Sequence, residues 1–135
     1  MPKNTPPAAI LVADDEASYR EMLSAMLTPA GYRVETARDG VEAINTLQSK
    51  AFDLVLLDVR MPRVDGIEVL KRIKVQWPDI EVIMITGYHA ITSSITSVAE
   101  AIKTLGAFDY IEKPFTPDAI IEVIDKAMKQ KKEKK

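Results

Sequence analysis

Two hydrophobic patterns alternate along the chain. Short apolar runs, AAILVA (8–13), YRVETA (32–37), DLVLL (53–57), IEVIMI (80–85) and AFDYI (107–111), have the length and composition of strands. The second is more polar and alternates, as an edge strand does. The segments between them carry helical periodicity. Tyr19, Met22, Leu23, Met26 and Leu27 follow the i, i+3, i+4, i+7, i+8 stripe of an amphipathic helix, which Pro29 and Gly31 then stop. Asp39 is placed to cap a second helix that turns Val41, Ile44 and Leu47 inward. A third runs from about Ile67 to Gln76 and ends before Pro78. In a fourth, the apolar positions are Ile91, Ile95, Val98, Ile102 and Leu105. Thr116 followed by Pro117 is an N-cap and first-turn signal for a fifth, with Ile120, Ile124 and Ala127 inward.

Five β-α units in succession predict an α/β fold, a parallel sheet covered by helices on both faces. One domain over 8–128 accounts for the pattern, with an N-terminal tail at 1–7 and a lysine-rich tail at 129–135. Composition narrows the chemistry. The 135 residues include no cysteine and one histidine, His89. Zinc fingers, iron–sulfur clusters and thiol catalysis are thereby excluded, and any metal must rest on oxygen ligands or that histidine. A lone loop histidine is ordinarily just solvated. No run approaches the roughly 18 apolar residues of a membrane span, and the N-terminal apolar stretch is too short for a signal peptide. The expected location is the cytoplasm. Residues 126–135 hold six lysines and Glu133, which leaves 12 basic and 19 acidic side chains in the rest. Such an acidic body is a poor binder of nucleic-acid backbones, so neither nucleic acid nor membrane is an expected partner.

In an open parallel sheet, ligands bind beyond the carboxyl ends of the strands. The first strand ends in Asp14-Asp15-Glu16, the third in Asp58, the fourth in Thr86 and the fifth in Lys113. Aspartates after strands often do no more than cap the following helix. Several converging acids, however, repel one another unless a cation compensates them, and an oxygen-only set suits Mg²⁺. Asp58 precedes a loop, VRMPRVDG, rather than a helix, so its carboxylate is available as a nucleophile toward phosphorus. Lys113 and the metal would neutralise the transferring group, and Thr86 could donate a hydrogen bond to it.

These stretches together, ILVADDE (10–16), LVLLDVRMPRVDG (54–66), ITG (85–87) and GAFDYIEKPF (106–115), resemble the receiver domains of two-component response regulators. The resemblance covers about residues 8–128. It implies a flavodoxin-like (βα)5 sandwich with strand order 2-1-3-4-5. It implies that Asp58 is the phosphoacceptor and that Asp15, Asp58 and the backbone carbonyl of Arg60 bind Mg²⁺, with Asp14 acting through water. Lys113 would pair with Asp58 and then with the phosphoryl group, and the Lys113–Pro114 bond would be cis. Thr86 and Tyr110 would form the switch pair, moving the surface of the fourth helix, fifth strand and fifth helix. The implied partners are a sensor histidine kinase or phosphotransfer protein and a downstream effector domain or protein, with a phosphorylation-dependent homodimer as a further outcome. The chain would be a signalling switch that catalyses only its own phosphorylation and dephosphorylation. Arg60 and Tyr88, two residues beyond Asp58 and Thr86, are bulky and imply slow loss of the phosphoryl group.

Two rival functions fit less well. A haloacid-dehalogenase-type phosphatase needs an acid two residues after its nucleophile, where this chain has Arg60. A nucleotide-binding domain needs a glycine-rich turn after the first strand, where this chain has ADDEAS. One departure from the receiver pattern stands out. Thr86 and Lys113 are 27 positions apart, about five more than in typical receivers, a surplus worth about 7 Å of added helix. It falls in HAITSSITSVAEAIK, where a lengthened fourth helix is expected with weak first turns, since its serines and threonines are mediocre helix formers.

Overall fold

The computed structural model describes residues 7–61, 63–87 and 103–133. Its strands are β1 Ala9–Ala13, β2 Arg33–Ala37, β3 Leu54–Asp58, β4 Glu81–Thr86 and β5 Asp109–Glu112. They form one sheet in the order β2-β1-β3-β4-β5, with every neighbouring pair parallel. The polar second run is an edge strand, as its alternation predicts. Helices α1 (Ala17–Leu27), α2 (Gly40–Ser49), α3 (Gly66–Gln76) and a C-terminal helix (Pro117–Glu133) cover the sheet. The C-terminal helix continues past residue 128 into the lysine-rich stretch. The fourth expected helix, together with Tyr88 and His89, falls almost wholly outside the described residues.

Each central strand is buried throughout, and apolar between its ends, because both its faces are covered. Leu11, Val55, Leu57, Val82 and Met84 point to one side and pack with Leu47 of α2 and Leu70 and Ile73 of α3. Ile10, Val12, Leu54, Leu56, Ile83 and Ile85 point to the other and meet Leu23 and Leu27 of α1 and Ile120, Ile124 and Ala127 of the C-terminal helix. At roughly 25 cal/mol per Å² of apolar surface, these two layers dominate the stability of the domain.

The helix starts are specified by side chains. Asp39 accepts the Glu42 N–H at 2.8 Å, and Thr116 Oγ1 accepts the Ala119 N–H at 3.1 Å. Asp65 caps α3 by accepting the Glu68 N–H at 3.0 Å, which starts that helix one residue before the expected Ile67. Among the described residues no helix is long and apolar enough to cross a membrane.

Register positions the site. Ala13 pairs with Leu57, Asp58 with Ile85, and Thr86 with Glu112. The strands therefore terminate nearly level, and Asp14, Asp58, Thr86 and Lys113 come to one edge of the sheet.

Candidate functional site

Lys113 is the centre of that edge. It is 7% exposed, and its Nζ lies 2.7 Å from Glu16 Oε1, 2.9 Å from Asp14 Oδ2 and 3.4 Å from Asp58 Oδ2. The ring of Tyr19 stands 4.2 Å from the same nitrogen, a cation–π distance, and packs in turn on Phe115 at 5.5 Å. The Lys113–Pro114 peptide is cis, and the Lys113 N–H bonds the Thr86 carbonyl at 2.8 Å.

Asp58 and Asp14 are buried, at 4% and 0% exposure. Asp58 Oδ1 accepts the Arg60 N–H at 3.0 Å, a contact within its own loop that leaves Oδ2 facing Lys113. Burial, and after it the charge of Asp14, raise the Asp58 carboxyl to about 7, against the opposing pull of the Arg60 N–H and Lys113. Burial disfavours the Lys113 ammonium, but the bonds to Glu16 and Asp14 and the charges of Asp14 and Asp58 outweigh it and hold the group above the usual lysine range. Three carboxylates share one lysine.

The acids after β1 do not cap α1. Glu16 occupies the N-cap position without a side-chain capping bond and spends its carboxylate on Lys113. Asp14 Oδ1 accepts the Glu16 N–H at 2.9 Å and shapes the turn. Its Oδ2 is buried and has the Lys113 ammonium, at 2.9 Å, as its partner. Carboxylate oxygens of Asp14, Asp15 and Glu16 lie within 4.8 Å of one another, close enough to share an ion. Exposed Asp15 lines a depression of about 560 Å³ together with Arg60, Met61 and Asp65. Carboxylate oxygens of buried Asp14 and exposed Asp15 and Glu16, gathered beside an open depression, fit a hard divalent cation.

Thr86 is buried, with Oγ1 3.4 Å from the Ile111 carbonyl. Tyr110 is half-buried against the core layer that contains Met84 and Ala107. The structure brings Asp14, Asp58 and Lys113 into contact, with Glu16 and Tyr19 added to the set. Glu16 was legible as part of the acid run. Tyr19 carried a weaker signal, its place three residues after Glu16 on the same helix face.

The family model described as "Response regulator receiver domain" matches residues 10–125. The transcriptional regulatory protein ZraR of Klebsiella oxytoca is 43% identical over 119 residues, 88% of this chain and 26% of that protein. FixJ of Bradyrhizobium diazoefficiens, also a transcriptional regulatory protein, is 38% identical over 90% of this chain and 57% of its own length. The chain therefore spans only a quarter to about half of these relatives. Among solved structures, a CheY-like response regulator receiver domain protein from Methanospirillum hungatei superposes with a TM-score of 0.87 at 29% identity, covering 96% of this chain and 99% of that one. The receiver domain of NtrX from Brucella abortus gives 0.78 at 37% identity, covering 89% and 98%.

Proposed function

This chain belongs to the response regulator receiver domain family, and from that membership we propose that it is a phosphorylation switch with Asp58 as its acceptor. The observation that carries the reading is the state of the Asp58 carboxylate. It is buried at the end of β3, caps no helix, and faces Lys113 through Oδ2. In the transfer, Asp58 Oδ attacks the phosphorus of a phosphohistidine on a sensor kinase or phosphotransfer protein. The P–N bond breaks, a P–O bond forms, and the histidine leaves with its nitrogen lone pair. A small acyl phosphate would serve by the same displacement.

Asp15, Asp58 and the Arg60 carbonyl are the groups that would hold Mg²⁺, with Asp14 contributing through water. When bound, Mg²⁺ supplies charge neutralisation for the phosphoryl oxygens. Lys113 supplies a second positive charge at the same atoms. Thr86 exchanges its long contact with the Ile111 carbonyl for a hydrogen bond to the phosphoryl group, and Tyr110 follows it inward. That movement alters the face around β5 and the C-terminal helix, where an effector domain or protein would read it. The chain acts on itself alone and works in the cytoplasm.

The test is incubation with Mg²⁺ and acetyl phosphate followed by mass measurement. Wild type gains one phosphoryl group and Asp58→Asn gains none. Equal modification of both, or of neither, overturns the assignment.

A further inference from the structure

The loop between β3 and α3 carries Arg60, and it is fastened at a point that none of the roles above uses. Arg63 has a backbone φ of 71°. This left-handed region is unfavourable for a residue with a Cβ and is ordinarily left to glycine or asparagine. The Arg63 guanidinium reaches across to the start of α2, where Nη2 lies 3.1 Å from Asp39 Oδ1 and 3.0 Å from Oδ2. Asp39 is 8% exposed and already holds the Glu42 N–H as the cap of α2. That backbone bond first, and Arg63 after it, keep its carboxyl below the usual aspartate range. One residue further on, a Cβ at Gly40 would collide with the Val64 carbonyl oxygen. Two consecutive loop residues, Arg63 and Val64, thus seat on two consecutive residues, Asp39 and Gly40.

The seat lies midway along a loop that is pinned at both ends. Arg60 N–H bonds Asp58 Oδ1 at 3.0 Å near the start, and Gly66 N–H returns to the Val59 carbonyl at 2.9 Å near the end. Asp39 is also close in sequence to Ala37, whose carbonyl accepts the Asp14 N–H at 3.0 Å. One connection, from β2 to α2, therefore touches both the acid turn after β1 and the loop after β3. We infer that Arg63 is a positioning residue, whose ion pair with Asp39 holds a loop conformation its own backbone disfavours and so presents the Arg60 carbonyl to the cation. The inference rests on the metal reading given above.

Three variants separate the contributions. Arg63→Ala removes the ion pair and keeps the backbone cost, whereas Arg63→Gly removes both. Asp39→Asn retains a capping side chain and loses the charge. Hydrogen exchange of the loop amides in metal-free protein reports the seat, and calorimetric titration with Mg²⁺ reports its consequence. Arg63→Ala and Asp39→Asn are expected to speed exchange across residues 60–64 by about fivefold or more and to weaken Mg²⁺ binding by about three- to tenfold. The double variant should be no weaker than Arg63→Ala. Arg63→Gly should lose Mg²⁺ affinity even though its melting temperature matches or exceeds that of Arg63→Ala. Unchanged loop exchange in Arg63→Ala overturns the inference. Faster exchange with unchanged Mg²⁺ affinity also overturns it, and reduces Arg63 to a structural role. Absence of Mg²⁺ binding in wild type overturns the metal reading, and the positioning role with it.

Discussion

Lys113 is held closer to Glu16, at 2.7 Å, than to Asp58, at 3.4 Å. The lysine that should meet the phosphoryl group is therefore shared with a competitor that is itself half exposed. Solvent screens that partner, so the competition is worth about 0.5–1 kcal/mol. Glu16→Gln should release Lys113 toward Asp58 and speed phosphorylation by acetyl phosphate roughly two- to fivefold. A rate slower than wild type would show instead that Glu16 supports the reaction, for instance as a ligand to the ion.

The Asp58 carboxyl, raised to about 7 chiefly by burial and then by Asp14, makes stability depend on pH in a definite direction. Its folded value lies above the ordinary aspartate value, so the folded state binds the proton more tightly. Stability contributed by the protonated form is full below about pH 4 and is lost as pH rises toward 7. At pH 8 and without divalent cations, Asp58→Asn should be more stable than wild type by on the order of 2 kcal/mol. The difference should shrink toward zero near pH 4 to 5, which urea denaturation at several pH values would measure. A variant less stable than wild type at pH 8 would mean that Lys113 needs Asp58 more than Asp14 repels it.

On the proposed reading Mg²⁺ should reverse that penalty, because it would bind the charged carboxylates of the folded state. At about a hundredfold excess over its Kd, the expected stabilisation is about 2.7 kcal/mol, or roughly 10 °C for a domain of this size. Asp15→Asn should abolish most of the gain. Arg60→Ala should keep it, since a backbone carbonyl survives the substitution. Thermal melts with and without MgCl₂ distinguish these outcomes, with CaCl₂ as a control for nonspecific screening.

The order of these elements was legible because each physical signal was local. Period-2 and buried runs marked the strands, the helical stripe marked α1, and Asp39 and Thr116 marked helix starts with one side chain each. The acid run after β1 and the position of Asp58 after an apolar strand were legible for the same reason. The contacts that tune the site were not. Tyr19 beneath Lys113 joins residues 94 positions apart, and Arg63 on Asp39 depends on an arginine adopting a backbone conformation that its own chemistry disfavours. Such pairings are set by how loops cross above the sheet, and no periodicity records that. Helix capping, the lesser alternative for the acids after β1, is not what Glu16 does, since its carboxylate goes to the buried lysine rather than to a backbone N–H of the first turn.

Gly66 places a hard steric demand on Asp58, the proposed acceptor. A Cβ there would collide with the backbone carbonyl oxygen of Asp58, and a main-chain atom cannot swing aside as a side chain can. Gly66 N–H also bonds the Val59 carbonyl at 2.9 Å, so the first turn of α3 is locked against the end of β3. Gly66→Ala must push the helix away or tilt the Asp58 peptide. Ordinarily alanine in a helix is favoured over glycine by about 1 kcal/mol. Here the overlap should reverse that sign and cost about 2 kcal/mol or more. Displacement of Asp58 relative to Lys113 should also slow phosphorylation by at least roughly tenfold, since misplacement of reacting groups by 1 Å can cost far more. Denaturation and acetyl phosphate labelling of the same preparation test both effects. A Gly66→Ala protein that is more stable than wild type and labels normally would show that α3 packs less tightly on Asp58 than this geometry requires.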